Sequence, residues 1–536
     1  MKPPLEPLEL NLKELQARLE RARQAPLTAE DYLQLKAALE TLAYLTHLLE
    51  DRHTTIERLR QMLFGARSEK TRQVLPTQPR AGQQSNRPEP AAGQKKPPGH
   101  GRHGARAYSG ATQIKVDHPS LKSGDSCPEC LKGKVYGQKI PAFLVRVRGQ
   151  APIQATVYEL EKLRCNLCGE VFTAEAPQGV EPEKYDATAA SMIALLKYGS
   201  GLPFHRLERL QQNLGIPLPA STQWDLVQAM ASLIEPAHQE LIRQAAQGEV
   251  LYNDDTSMKI LELIPPEPSE ENASDRSGTF TSGIVSTRQG QRIALFFTGR
   301  QHAGENLADL LAHRAKASGP PIQMCDALAR NLPPELDWIV AHCLVHARRR
   351  FVEVAPNFPQ PCRFVLEVLG QVYRHEATAR EQGMSVEERL RFHQAQSGPL
   401  MDSLKHWLTE QFETRQVEPN SGLGAAITYM TRHWDRLTLF LRQPGAPLDN
   451  NICEQALKKA ILHRKNALFY KTQNGAQVGD LFMSLIYTCQ LSGTDPFDYL
   501  TQLQKHAEDL AQRPQVWMPW NYRQTPAPAG THVDSR

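Results

Sequence analysis

The sequence predicts a multi-domain α/β protein, and three observations predict it. Strand-like alternation is confined to two stretches, 110–180 and 248–341. Helical spacing dominates 28–64, 187–231, 344–440 and 449–511. A Pro-, Gly-, Gln- and Arg-rich stretch without periodicity, 65–108, separates the first helical segment from the rest. At 536 residues, 40% hydrophobic and 22% charged, the chain has ordinary soluble composition. That length suits roughly three or four structural units. The net charge of +4 identifies no partner by itself. No apolar run approaches the roughly 18 residues of a membrane span, and Met1-Lys2-Pro3-Pro4-Leu5-Glu6 has no apolar signal core. Of nine cysteines, four form two C-x-x-C pairs and the rest are scattered, which fits a reducing compartment. A cytoplasmic or nucleoid-associated protein is expected.

In chain order, 1–64 is a helical, leucine-zipper region. Leu35, Leu42, Leu49, Ile56 and Leu63 recur every seven residues, with Ala38, Leu45 and Leu59 three places on. This a/d seam suits pairing with a second copy; Arg52 interrupts it, and packing on its own domain is the alternative. The basic linker 65–109, with Lys95-Lys96-Pro97-Pro98, is too poor in apolar residues to order itself. It either trails along DNA phosphates or acts as a spacer. In 110–182, Cys127-Pro128-Glu129-Cys130 and Cys165-Asn166-Leu167-Cys168 supply two knuckles of a tetrahedral zinc ribbon. Four sulfurs leave no open position, so the zinc is structural; reduced metal-free cysteines or a redox pair are the alternatives. The segment 183–245 reads as three helices, 187–198, 204–214 and from Ser221 as N-cap onward, broken at Gly215–Pro219. It is helix-turn-helix-like and offers Gln223 and Gln228 to a major groove, with generic helical packing as the alternative.

A strand-rich core begins at 246 and runs to 355. Strands are expected in 248–263, 280–286, 292–297, 321–325 and 338–341, with a helix over 306–313. This order suggests a mainly antiparallel sheet with helices on its faces. A helical segment, 356–445, precedes a further helical part, 446–511, and a Pro-rich tail, 512–536. Three acids stand at informative places. Asp254 lies within the first core strand, Asp326 ends a later one, and Glu454 opens a helix that continues through Lys458, Lys459, Arg464 and Lys465. Hard divalent cations held for phosphodiester chemistry need carboxylates from separate elements. Two other readings stand beside this one: Asn451 and Glu454 fit a capping box, and Asp326 fits a turn.

Five stretches, taken together, carry a resemblance. They are Leu63-Phe64-Gly65-Ala66-Arg67-Ser68-Glu69-Lys70, the paired C-x-x-C ribbon, Asn253-Asp254-Asp255-Thr256, Cys343 through Phe351, and Asp449-Asn450-Asn451 through Glu454 to Arg464-Lys465-Asn466. The terminal Trp520-Asn521-Tyr522 adds to them. The chain resembles the transposases of the insertion-sequence sixty-six family of bacterial mobile elements. The resemblance implies an RNase H-like core of the Asp-Asp-Glu type, interrupted by a helical insertion that the gap of 128 residues from Asp326 to Glu454 accommodates. It implies that Asp254, Asp326 and Glu454 are catalytic and hold magnesium or manganese. It implies cleavage at an element's end and joining of the 3′-hydroxyl to target DNA.

The ribbon and helices would recognise terminal inverted repeats, and the zipper would join two protomers, with accessory proteins of the same element as further partners. Arg348, Arg349, Arg350, Lys458, Lys459, Arg464 and Lys465 would neutralise phosphate. Cys343 and His346 match a C-x-x-H signature beside the second acid, and Asp255 is a further accessory candidate. The chain departs from the family where Asp255 replaces Glu, Ala327-Leu328 replace Gly-Tyr, and Gln455 replaces a commoner Arg. Either aspartate of Asp254-Asp255 fits as ligand, and Asp254 takes the place of the motif's own. A non-catalytic zinc-ribbon regulator and a structure-selective nuclease are the competing functions.

Overall fold

The computed structural model describes residues 119–130, 132–136, 150–164, 171–180, 183–264, 278–333 and 339–524, together with Thr28 and Lys36. The heptad residues Leu35, Leu42, Leu49, Ile56 and Leu63, the basic linker, Cys165 and Cys168 lie outside the described residues. The first described strands, β1 (Lys162–Arg164) and β2 (Val171–Thr173), pair antiparallel. Helix α1 (Ala187–Ala194) starts where Asp186 accepts from the Ala189 N–H at 2.9 Å, and it runs into one π-helical turn, Leu195–Gly199. Helix α2 (Phe204–Asn213) ends before Gly215, whose φ of 75° is left-handed. Helix α3 (Ala220–Ala245) begins one residue before Ser221, so Pro219 rather than Ser221 holds the cap position.

Strands β3 (Val250–Ser257), β4 (Phe280–Arg288) and β5 (Gln291–Gly299) follow, then helix α4 (Ala303–Leu311). Gln289 and Gly290 both have positive φ, the two-residue turn that suits the twist of a β4–β5 hairpin. Next come β6 (Ile322–Cys325) and β7 (Ile339–His342). Helices α5 (Leu344–Val354), α6 (Pro359–Glu381), α7 (Val386–Gln396), α8 (Gly398–Glu413), α9 (Gly422–Arg432) and α10 (Trp434–Leu437) succeed them. The described chain closes with α11 (Asn451–Ala467), α12 (Gln473–Leu491), α13 (Pro496–Lys505) and α14 (Ala507–Gln512). Among the described residues no helix is long and apolar enough to cross a membrane.

The strand order is β5-β4-β3-β6-β7. β4 and β5 pair antiparallel, but β3–β6 and β6–β7 are parallel. The sheet is therefore mixed, not mainly antiparallel as the strand succession suggests. The β4–β5 hairpin and α4 lie between β3 and β6 in the chain, and short, mostly buried strands such as β6 read as plain apolar runs that carry no direction.

Contacts divide the chain into two compact units. One contains the segments Glu249–Asn253 and Gly319–Ile452. Its core joins Met324 and Ala341 of the strands to Leu344, Phe351, Leu366 and Met401 of the helices. The helical segment after β7 thus shares a core with β6 and β7. Phe351 is fully buried there. Phe351→Ala is expected to destabilise this unit by about 3–5 kcal/mol, read as a lowered midpoint in chemical denaturation.

The other unit contains Asp254–Ser318, the segment from Cys453 onward and the described residues from Pro119 to Gly248. Here β5 is an edge strand, and α12 covers that edge with a row of polar side chains four residues apart. Thr488 Oγ1, Ser484 Oγ and Asp480 Oδ2 accept from the N–H groups of Ala294 (3.1 Å), Phe296 (3.0 Å) and Thr298 (2.6 Å). Backbone donors of period two meet a helix face of period four, which blunts the edge against further pairing. The chain after α14 packs too: Trp517 and Met518 are buried, and Tyr499 donates to the Trp517 carbonyl at 2.8 Å.

Candidate active site

The pleat of β3 separates the two neighbouring aspartates. Asn253 and Asp255 fall on the buried face, whereas Asp254 lies on the half-buried face with Tyr252 and Thr256. Asp255 Oδ2 lies 2.8 Å from His302 Nδ1 at the start of α4, and its side chain is 1% exposed. Asp254 Oδ1 accepts from the Asp255 N–H at 2.8 Å.

Asp326 directly follows β6. Its Oδ1 accepts from the Leu328 N–H at 3.1 Å and from Asn331 Nδ2 at 2.5 Å. It is therefore a turn residue, but both of these bonds fall on one oxygen. Behind it lies a chain of fully buried amides that the sequence reading did not single out. Gln323 Nε2 donates to Asn253 Oδ1 (2.9 Å) and to the Asn331 carbonyl (2.7 Å). Asn253 Nδ2 reaches the same carbonyl at 2.8 Å. Asn450 Nδ2 donates to the Asn253 carbonyl at 3.1 Å, and its N–H donates to Cys343 Sγ at 3.3 Å. Asn253, Gln323, Asn331 and Asn450 thus join one network within the first unit. A polar Gln323 inside the apolar run Pro321–Cys325 was the legible signal, since a buried amide demands partners.

Cys343 is buried at the N-terminal cap position of α5. His346, Arg349 and Arg350 of that helix line a cavity of about 300 Å³ together with Asp326, Glu353 and Tyr429. Arg348 is half-buried and is not among the lining residues.

In the second unit, Glu454 is half-buried on the first turn of α11. The helix begins at Asn451, so Asn450 is the cap position and Glu454 lies one residue beyond that of a capping box. Asp449 Oδ1 instead accepts from the Asn451 N–H at 3.1 Å. Helix α11 lies close on β4: Cys453 Sγ donates to the Gly283 carbonyl at 3.2 Å, and a Cβ at Gly283 would stand 3.0 Å from the Leu457 side chain. Lys458 and Lys465 are exposed, whereas Lys459 Nζ lies 5.6 Å from the Tyr487 ring centroid. Arg464 is tied to the end of β3, donating to Thr256 Oγ1 at 3.0 Å and Ser257 Oγ at 2.8 Å, and also to the Ser257 carbonyl.

Of the two glutamines expected in a DNA groove, Gln223 requires correction. It is fully buried and donates to the carbonyls of Leu218 (2.9 Å) and Phe204 (3.1 Å), locking α3 to the loop and to α2. Gln228 is exposed. Cys127 and Cys130 form a tight turn in which the Cys127 N–H donates to the Gly133 carbonyl at 2.8 Å. The Gly133 N–H donates to Cys130 Sγ at 3.4 Å. The N–H groups of Gly133 and Lys132 hold the Cys130 thiol below its ordinary value.

A profile of the Transposase IS66 family matches residues 184–478, from the segment just before α1 into α12. The chain is 25% identical over 511 residues to an uncharacterised protein, y4jD, of Sinorhizobium fredii (strain NBRC 101917 / NGR234), covering 89% of this chain and 96% of the relative. It is 26% identical over 389 residues to another uncharacterised protein of that strain, y4hP, covering 68% of each.

Proposed function

The chain belongs to the Transposase IS66 family, and from that premise we propose that it cleaves DNA at the ends of a mobile element and joins the freed 3′-hydroxyl to target DNA. Family membership implies DNA as the partner and a divalent metal as cofactor. The observation that carries the finer reading is the register of the parallel strands. Tyr252 pairs with Met324, and Asp254 and Asp326 each lie two residues further along their chains. Glu454, on a helix with exposed Lys458 and Lys465, is the third acid.

The donor set fits a hard cation: carboxylate oxygens, with Asp326 held in one orientation by the Leu328 and Asn331 donors. Asp254, Asp326 and Glu454 would hold magnesium or manganese. When bound, such ions activate the attacking water or 3′-hydroxyl and stabilise the leaving oxygen. The chain's own contribution is orientation. The buried amides fix the turn that carries Asp326, and Arg464 braces the β3 end against α11. Lys458 and Lys465 offset phosphate charge.

Glu454→Gln removes the charge at nearly constant shape. With a labelled element-end duplex and magnesium, the variant is expected to bind as the wild type does and to leave the duplex uncut. Equal cleavage by both would remove Glu454 from the site. Cleavage without joined product would favour a nuclease, and binding without cleavage by the wild type a regulator.

The Cys127–Cys130 turn, with N–H groups directed at sulfur, supports a structural zinc completed by Cys165 and Cys168. Elemental analysis of the purified chain is expected to find one zinc per chain, and Cys130→Ser to lose it. A metal-free wild type would exclude the ribbon.

A further inference from the structure

The cavity beside Asp326 has a chemistry that phosphate binding does not explain. Its lining cations, Arg349 and Arg350, are matched by the carboxylates of Asp326 and Glu353. Its distinctive feature is planar. The Arg350 guanidinium carbon stands 3.9 Å from the centroid of the Tyr429 ring, and the His433 ring lies 4.8 Å from that same centroid. Arg350 on α5 and Tyr429 on α9 thus form a cation–π pair in the lining, with the His433 ring, tilted 58° to Tyr429, just beyond it.

We propose that this cavity is a nucleobase pocket. It receives one unpaired base of the strand being processed, seated against the Arg350–Tyr429 stack. Bases stack on arginine planes and aromatic rings without sequence preference, while polar groups around the rim read their edges. His346 and Arg349 supply the donors on that rim, and Glu353 is an acceptor for an exocyclic amino group. A volume of about 300 Å³ accommodates one base. The base must therefore leave its stack, which costs least at a strand end. The inference rests on the DNA-processing reading above, and it gives the helices after β7 a part in the site: α9 supplies Tyr429.

Fluorescence anisotropy with the full chain tests it, using two duplexes of equal length, one blunt and one ending in a single unpaired 3′ nucleotide. The wild type is expected to bind the second roughly tenfold tighter. Tyr429→Ala should bring the two affinities together, and Tyr429→Phe, which keeps the ring under Arg350, should retain the preference. Equal affinities for the wild type would overturn the pocket while leaving the transposase reading intact, as would a preference that survives Tyr429→Ala. Failure to bind either duplex would overturn both.

Discussion

Asp326→Asn is expected to lower magnesium-dependent strand cleavage by about a thousandfold or more, the loss anticipated when a ligand to a catalytic metal is removed. The substitution isolates charge from architecture. Asp326 uses Oδ1 to accept from Leu328 and Asn331, and an asparagine oxygen can accept both bonds unchanged. The turn, the buried amides behind it and the unit's core are kept. A residue that only shaped the turn would tolerate the change, so wild-type cleavage rates in the variant would assign Asp326 to structure. Single-turnover rates with a labelled element-end duplex, beside a thermal melt of each protein, make the comparison.

Asp480→Asn is expected to change how stability depends on pH. Burial pushes the Asp480 carboxyl up from 3.8 to about 7, and the two Thr298 donors offset this only in part. The folded chain thus holds this proton more tightly than the unfolded chain. The stability it contributes is complete below about pH 4 and is lost as pH rises through 7, a swing of about 4 kcal/mol. Asparagine accepts from the Thr298 N–H and can donate to Thr298 Oγ1, so the cover over β5 remains. Denaturation midpoints of the wild type are expected to fall from about pH 5 to pH 8 more steeply than those of Asp480→Asn. Parallel profiles would show that Asp480 is ionised at no cost.

How much of this was legible in the sequence follows from what each residue's role depends on. The strands and helices were readable because period two and period 3.6 are local. Strand direction was not, because Ile322–Cys325 is equally apolar whichever way it pairs. Asp254 and Asp255 could not be told apart by type, and the β3 pleat separates them. Gln223 had the right chemistry for a groove, but α3 turns that face inward onto Leu218 and Phe204. The Asp480, Ser484 and Thr488 row reads from sequence as an ordinary polar face. Its role depends on β5 being an edge strand, which is a tertiary fact. The Asn253, Gln323, Asn331 and Asn450 network was hidden for the same reason, since amides reveal themselves only through their partners.

Metal-directed cleavage of the polypeptide tests whether Asp254, Asp326 and Glu454 serve one metal site, as proposed above. Iron(II) loaded in place of magnesium, with ascorbate and peroxide, generates hydroxyl radicals that cut the chain beside the ion. Cuts are expected in three segments, around Asp254, Asp326 and Glu454, all suppressed by excess magnesium and all lost together in Asp326→Asn. Cuts confined to one of these segments, or persisting undiminished in that variant, would contradict a shared site.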